Sequence, residues 1–160
     1  MVNVNVTKSS EVIDALNDLI ETCKDGEYGF RVSAEQAKSS SLRSNLLARS
    51  SECATAADQL RAHVVQLGGK PEDSGSLIGA VHRGWVAVKA KLSTYDDLAV
   101  LEECERGEDA ALATYRDALE RPLPPPIRNL VEHQYEGAKR NHDQVRRMRD
   151  ALRATQKAPS

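Results

Sequence analysis

Apolar residues recur at steps of three and four along most of this chain, the period of a helix that buries one face. The first stripe reads Ile13, Leu16, Ile20, Cys23, Phe30, Ala34 and Ala37, and the member missing after Cys23 falls on Glu27. The second runs Leu42, Leu46, Cys53, Ala56, Leu60 and Leu67, with Arg49 in the gap between Leu46 and Cys53. A shorter stripe holds Ile78, Val81, Trp85, Val88 and Leu92. The next reads Leu98, Leu101, Leu112, Tyr115 and Leu119, and Glu105 and Glu108 occupy its vacant positions. The last carries Ile127, Val131, Gln134, Ala138, Asn141, Val145, Met148 and Leu152. These patterns predict helix A over about residues 10–38, B over about 41–67, a crossover helix over about 76–92, C over about 95–120 and D over about 125–153.

Punctuation between the stripes supports the division. Ser9 or Ser10 can cap helix A, and Ser39 to Ser41 make a turn before helix B. Gly68 and Gly69 end helix B, and Pro71 prevents its return. Thr94 and Asp97 have capping-box spacing at the start of helix C. Pro122, Pro124, Pro125 and Pro126 stiffen the turn into helix D. Residues 1–8 alternate Val and Asn and are expected to form an extended arm, and 154–160 a frayed tail. Residues 28–33 read locally as a short strand, but the stripe running through them favours helix. Gly26 and Gly29 flank Glu27 inside helix A, each costing about 1 kcal/mol relative to Ala. They mark either a close helix–helix approach or a kink.

With 160 residues the chain is sized for one domain, so residues 9–153 are expected to fold as a single four-helix bundle. Its 40% hydrophobic but only 4% aromatic content suits helices packed through small and aliphatic side chains. A net charge of -2 gives no drive towards nucleic acid or an anionic membrane. Arg140, Arg146, Arg147, Arg149 and Arg153 look basic together, but Asp143 and Asp150 are interleaved and no aromatic residue accompanies them. A solvated helix face explains them better than phosphate binding. No apolar run reaches the roughly 18 residues of a membrane span. Residues 1–10 carry no secretory pattern. The three cysteines, Cys23, Cys53 and Cys104, form no CxxC and are expected to be buried, reduced thiols of a cytoplasmic protein. No nucleophile elbow, P-loop or dinucleotide fingerprint is present.

The polar interruptions of the stripes are the informative residues. Burying a carboxylate costs several kcal/mol unless it is paired, protonated or metal-bound. Glu27 lies about 12 residues before the A–B turn and Glu52 about 12 after it, so at about 1.5 Å per residue they share a level. Glu105 lies about 18 residues before the C–D turn and His142 about 19 after it. If the hairpins pack side by side, Glu27, Glu52, Glu105, Glu108 and His142 converge. Oxygen ligands with one imidazole suit iron or manganese, held as a di-metal carboxylate site.

A two-helix hairpin, a crossover segment and a second hairpin resemble the ferritin-like superfamily. The stretches Leu16–Gly29 (LNDLIETCKDGEYG), Gly75–Val86 (GSLIGAVHRGWV) and Leu101–Leu119 (LEECERGEDAALATYRDAL) are similar to an uncharacterised bacterial family of ferritin-like bundles, catalogued as a domain of unknown function. The resemblance implies an all-α, ferritin-like four-helix bundle of two antiparallel hairpins with an additional short crossover helix. It implies no particular activity. The chain departs from the Glu-x-x-His pairs of di-iron bundles: Thr55 stands three residues after Glu52, and Lys139 three before His142.

Two functional readings follow. In the first the protein is a non-catalytic, structural or stress-associated bundle whose core carboxylates are paired to Arg49, a permanent cation on the facing stripe. In the second it binds iron or manganese through a degenerate di-metal site of Glu27, Glu52, Glu105, Glu108 and His142, for metal storage or Fe(II) oxidation. Trp85 on the crossover can pack on the bundle or form the face of a homo-oligomer.

Overall fold

The computed structural model describes residues 3–72 and 96–157. These form four helices: α1 (Asn3–Gln36), α2 (Ser40–Gln66), α3 (Asp97–Leu119) and α4 (Pro125–Lys157). The expected crossover helix, Trp85 and Thr94 lie outside the described residues. No strand occurs among the described residues, and residues 28–33 are helical.

Helix α1 begins at Asn3, so residues 3–8 are not the extended arm that Val–Asn alternation suggested. Val and Asn each cost only about half a kcal/mol in a helix, and neither Pro nor Gly interrupts residues 3–25. The helix therefore propagates back through them. Helix α2 starts on Ser39, whose hydroxyl accepts from Leu42 N–H at 3.3 Å. It ends where the glycines demanded: Gly68 adopts φ 80°, its N–H donates to Val65 O, and Gly69 N–H donates to Val64 O.

The cap of α3 differs from the expected one. Asp96 is the N-cap and accepts the Ala99 N–H, at 3.2 Å. Asp97 spends both oxygens elsewhere, accepting from Lys38 N–H at 2.7 Å and Ser39 N–H at 3.0 Å. It thereby ties the α1–α2 turn to the start of α3. At the other end, Arg128 donates to Leu119 O and Arg121 O, closing the carbonyl end of α3 across the proline turn.

Helix α1 packs against α2 and α3, and α3 against α4, whereas α2 and α4 barely approach each other. The core is divided. One apolar cluster is built around Leu16, Leu19, Ile20, Leu60, Val64 and Val131. The other is built around Phe30, Leu42, Leu46, Val100, Leu101 and Val145. Between them the helices carry small or polar residues, and that layer is where a site can form.

Candidate functional site

At mid-bundle a cavity of about 890 Å³ separates the two apolar clusters, and all four helices line it. Side chains too small to fill a core produce it, among them Gly29, Ala56, Ala111 and Gly137. All three thiols, Cys23, Cys53 and Cys104, reach it from three different helices, and none is in a disulfide. Exposed residues such as Ser51, Thr55, Gly107 and Arg140 stand at its rim, so it opens to solvent.

A hydrogen-bonded chain crosses the layer. Cys23 Sγ lies 3.3 Å from Tyr115 Oη, which donates to Gln134 Oε1 at 2.9 Å. Gln134 Nε2 then donates to Ala56 O at 3.3 Å and Gln59 Oε1 at 3.1 Å, bridging α4 to α2. Burial pushes the Cys53 and Cys104 thiols up to about 12 and raises the Tyr115 hydroxyl further. At neutral pH these groups stay protonated, which makes the thiols weak nucleophiles.

The charged members are Arg49 and Glu108. The Arg49 guanidinium lies 5.8 Å over the Phe30 ring and donates from Nη1 to Glu52 Oε2 at 3.1 Å. Its Nε is buried without a hydrogen-bond partner. Glu108 is 4% exposed, and one carboxylate oxygen accepts from Asn141 Nδ2 while the other is buried without a partner. Burial pushes the Glu108 carboxyl up to about 7, although the Asn141 amide, Arg49 and His142 favour its charged form.

The residues expected to converge are distributed over several environments. Glu27 is half-buried and does not line the cavity. The inward position between Cys23 and Phe30 belongs to Gly26, where a Cβ would stand 2.9 Å from Cys53 Sγ. Glu27 is one residue on, turned about 100° around the helix, and its backbone oxygen accepts from Ser50 Oγ at 2.6 Å. Glu52 is exposed at the rim, engaged by Arg49. Glu105 lies on the α3–α4 seam in an ion pair with Arg149, not with Arg49. Glu108 alone of the five is buried.

His142 and Glu105 do come together, but with Asp109 as the third member. Donor atoms of Glu105, Asp109 and His142 all lie within 4.8 Å of one another, the one such group of potential metal ligands among the described residues. None of the three lines the cavity. Asp109 is exposed and off the apolar stripe, so the stripe carries no sign of it. Its i+4 spacing from Glu105 was the available signal.

A family model described as Domain of unknown function (DUF2383) matches residues 11–121. No curated protein matches. Among solved structures, the chain is similar to a Bacteroides fragilis bacterioferritin-related protein described as a dodecameric thioferritin. That likeness has a TM-score of 0.78 and 13% identity over 99% of this chain and 98% of that one. It is also similar to a mutant of Mycobacterium smegmatis Dps1, with a TM-score of 0.72 and 16% identity over 89% of this chain and 97% of that one. A Vibrio cholerae O1 DPS protein, described as a member of a broad superfamily of ferritin-like diiron-carboxylate proteins, aligns with a TM-score of 0.56. Its identity is 17% over 91% of this chain and 86% of that one. At such identities the likeness concerns the fold, and that fold is the ferritin-like helical bundle.

Proposed function

This chain belongs to the family described as Domain of unknown function (DUF2383), and we propose that it acts as a non-catalytic, structural or stress-associated ferritin-like bundle protein. One observation carries the reading: the mid-bundle carboxylates are engaged by the protein itself. Glu52 is held by Arg49, Glu105 by Arg149 and Glu108 by Asn141. A permanent guanidinium in this layer also opposes the approach of two metal cations. The unpaired, buried thiols fit a reducing cytoplasm. Among the described residues no helix is long and apolar enough to cross a membrane. Self-association belongs to the proposal as well, since the Bacteroides relative is described as dodecameric.

A second reading keeps iron or manganese at a degenerate centre built on Glu108, for storage or Fe(II) oxidation, although Glu27, Glu105 and His142, expected beside Glu108 and Glu52, do not line its cavity. The partnerless oxygen of Glu108 favours it, as does the description of the Vibrio relative's superfamily as diiron-carboxylate. Fe(II) oxidation by oxygen or peroxide, followed by ferric absorbance after anaerobic loading, separates the two. The first reading expects the rate of protein-free buffer, unchanged by Glu108→Ala. A faster rate that Glu108→Ala abolishes would overturn it in favour of the second.

A further inference from the structure

We propose that Glu105, Asp109 and His142 form a binding site for one divalent first-row transition ion, which clips α3 to α4. The site stands apart from the mid-bundle cavity, since none of its residues lines it. Glu105 and Asp109 are spaced i, i+4 and so share one face of α3, while His142 reaches across from α4. The donor set is two carboxylates and one imidazole. The imidazole selects against calcium and magnesium, and the absence of sulfur against soft ions such as Cu(I).

The geometry is close to a ligand shell. Around one ion at about 2.0–2.2 Å, donors stand about 3–4 Å apart, and here all three already lie within 4.8 Å. Glu105 and His142 are held in the helix seam, with side chains 17% and 14% exposed. Asp109 is 63% exposed and marks the open side, where water would complete the coordination. His142 Nε2 already faces Asp109 Oδ1 at 2.7 Å, and Asp143 Oδ1 stands 4.0 Å from its Nδ1. The Asp109 carboxylate can only accept, so Nε2 carries the proton in this contact, and a bound ion would take that proton's place between the two side chains.

Glu105 is occupied by Arg149, so the guanidinium competes with the ion. It has somewhere else to go. Arg149 Nε and Nη2 both donate to Asp150 Oδ1, at 3.2 and 3.0 Å, and those bonds survive when Nη1 releases Glu105. Metal therefore displaces one hydrogen bond and strands no buried cation. Arg149 sets the affinity of the site from outside its ligand shell.

The test uses the untagged full chain and Mn²⁺ alone, followed by loss of the free-ion electron paramagnetic resonance signal. One Mn²⁺ per chain is expected, with Zn²⁺ displacing it ion for ion. Asp109→Asn, at a largely exposed position that leaves the helices intact by circular dichroism, is expected to weaken binding about tenfold or more, and His142→Gln likewise. Arg149→Gln, which frees Glu105, is expected to tighten it, an outcome a purely structural ion pair does not give. The melting midpoint should rise by about 5–10 °C at a hundredfold excess of ion over its dissociation constant. A free-ion signal undiminished at about millimolar protein overturns the proposal, as does binding that neither Asp109→Asn nor His142→Gln changes. Either failure leaves the oxidation assay above unaffected, because that assay reports on Glu108.

Discussion

Burial holds Glu108 protonated through much of the acidic range, and this makes the stability of the fold depend on pH in an unusual direction. Its carboxyl is raised from 4.5 to about 7, so between those values the folded state keeps a proton that the unfolded chain has released. The contribution of this residue to stability is greatest below pH 4.5, falls as pH rises through this window and is level above it, a loss of about 3 kcal/mol. Glu108→Gln removes the titration. The variant should be more stable than the parent by about 1–3 kcal/mol at about pH 8 and no more stable at about pH 4, read from urea midpoints. Asp25, raised to about 6, contributes in the same direction but cancels in the comparison. The sequence displayed Glu108 as a polar break in an apolar stripe, which its burial bears out. The same logic applied to Glu27 went one residue astray. Gly26 offers no side chain for the stripe to register, so the carboxylate beside it was assigned the inward position.

At the scale of the helices, Gly26 sets the separation of α1 and α2. Placing a methyl there would gain about 1 kcal/mol of helix propensity, but its Cβ would meet Cys53 Sγ at 2.9 Å. Gly26→Ala is expected to cost about 1–3 kcal/mol on balance, and the cost should vanish in a Cys53→Ala background. A double-mutant cycle by chemical denaturation checks it, and a cost unchanged by Cys53→Ala would mean the strain lies elsewhere. Helix ends were largely legible because glycine, proline and serine act locally, as the glycine stop after α2 illustrates. Two starts were not. Asp97 is drawn away from its own helix by the backbone of the α1–α2 turn, a partner 58 residues distant in sequence. Residues 3–8 carry no breaker, so their weak strand preference gave way to an established helix.

For the whole molecule, counting residues from each turn placed the polar positions at the right height but not at the right angle about the bundle axis. Heights follow from the constant rise per residue, whereas angles depend on which face each helix turns inward. Hence His142 and Glu105 meet, while Glu27 and Glu52 stand apart from them. Arg149 was legible only as one of a basic group on a solvated face, because pairing across 44 residues is a tertiary fact. The division of the core into two clusters was likewise hidden, since an apolar stripe reports which residues turn inward and not how much space they fill.

The space between the two clusters has a mechanical consequence. Unfolding a chain collapses its internal voids, so compression favours the unfolded state in proportion to the void lost. The space of about 890 Å³ between its cores opens to solvent, so this bundle is expected to unfold under hydrostatic pressure with a volume change, within about −20 to −100 mL/mol, that scales with the part of that space water leaves empty. Gly137→Leu, projecting into the cavity where a Cβ meets little but the end of Arg140, should shrink that change in high-pressure infrared or NMR measurements. An unchanged value would mean that water already fills the space as densely as protein would. The gap between the two apolar clusters thus makes the molecule yield to compression to the extent that water leaves it empty.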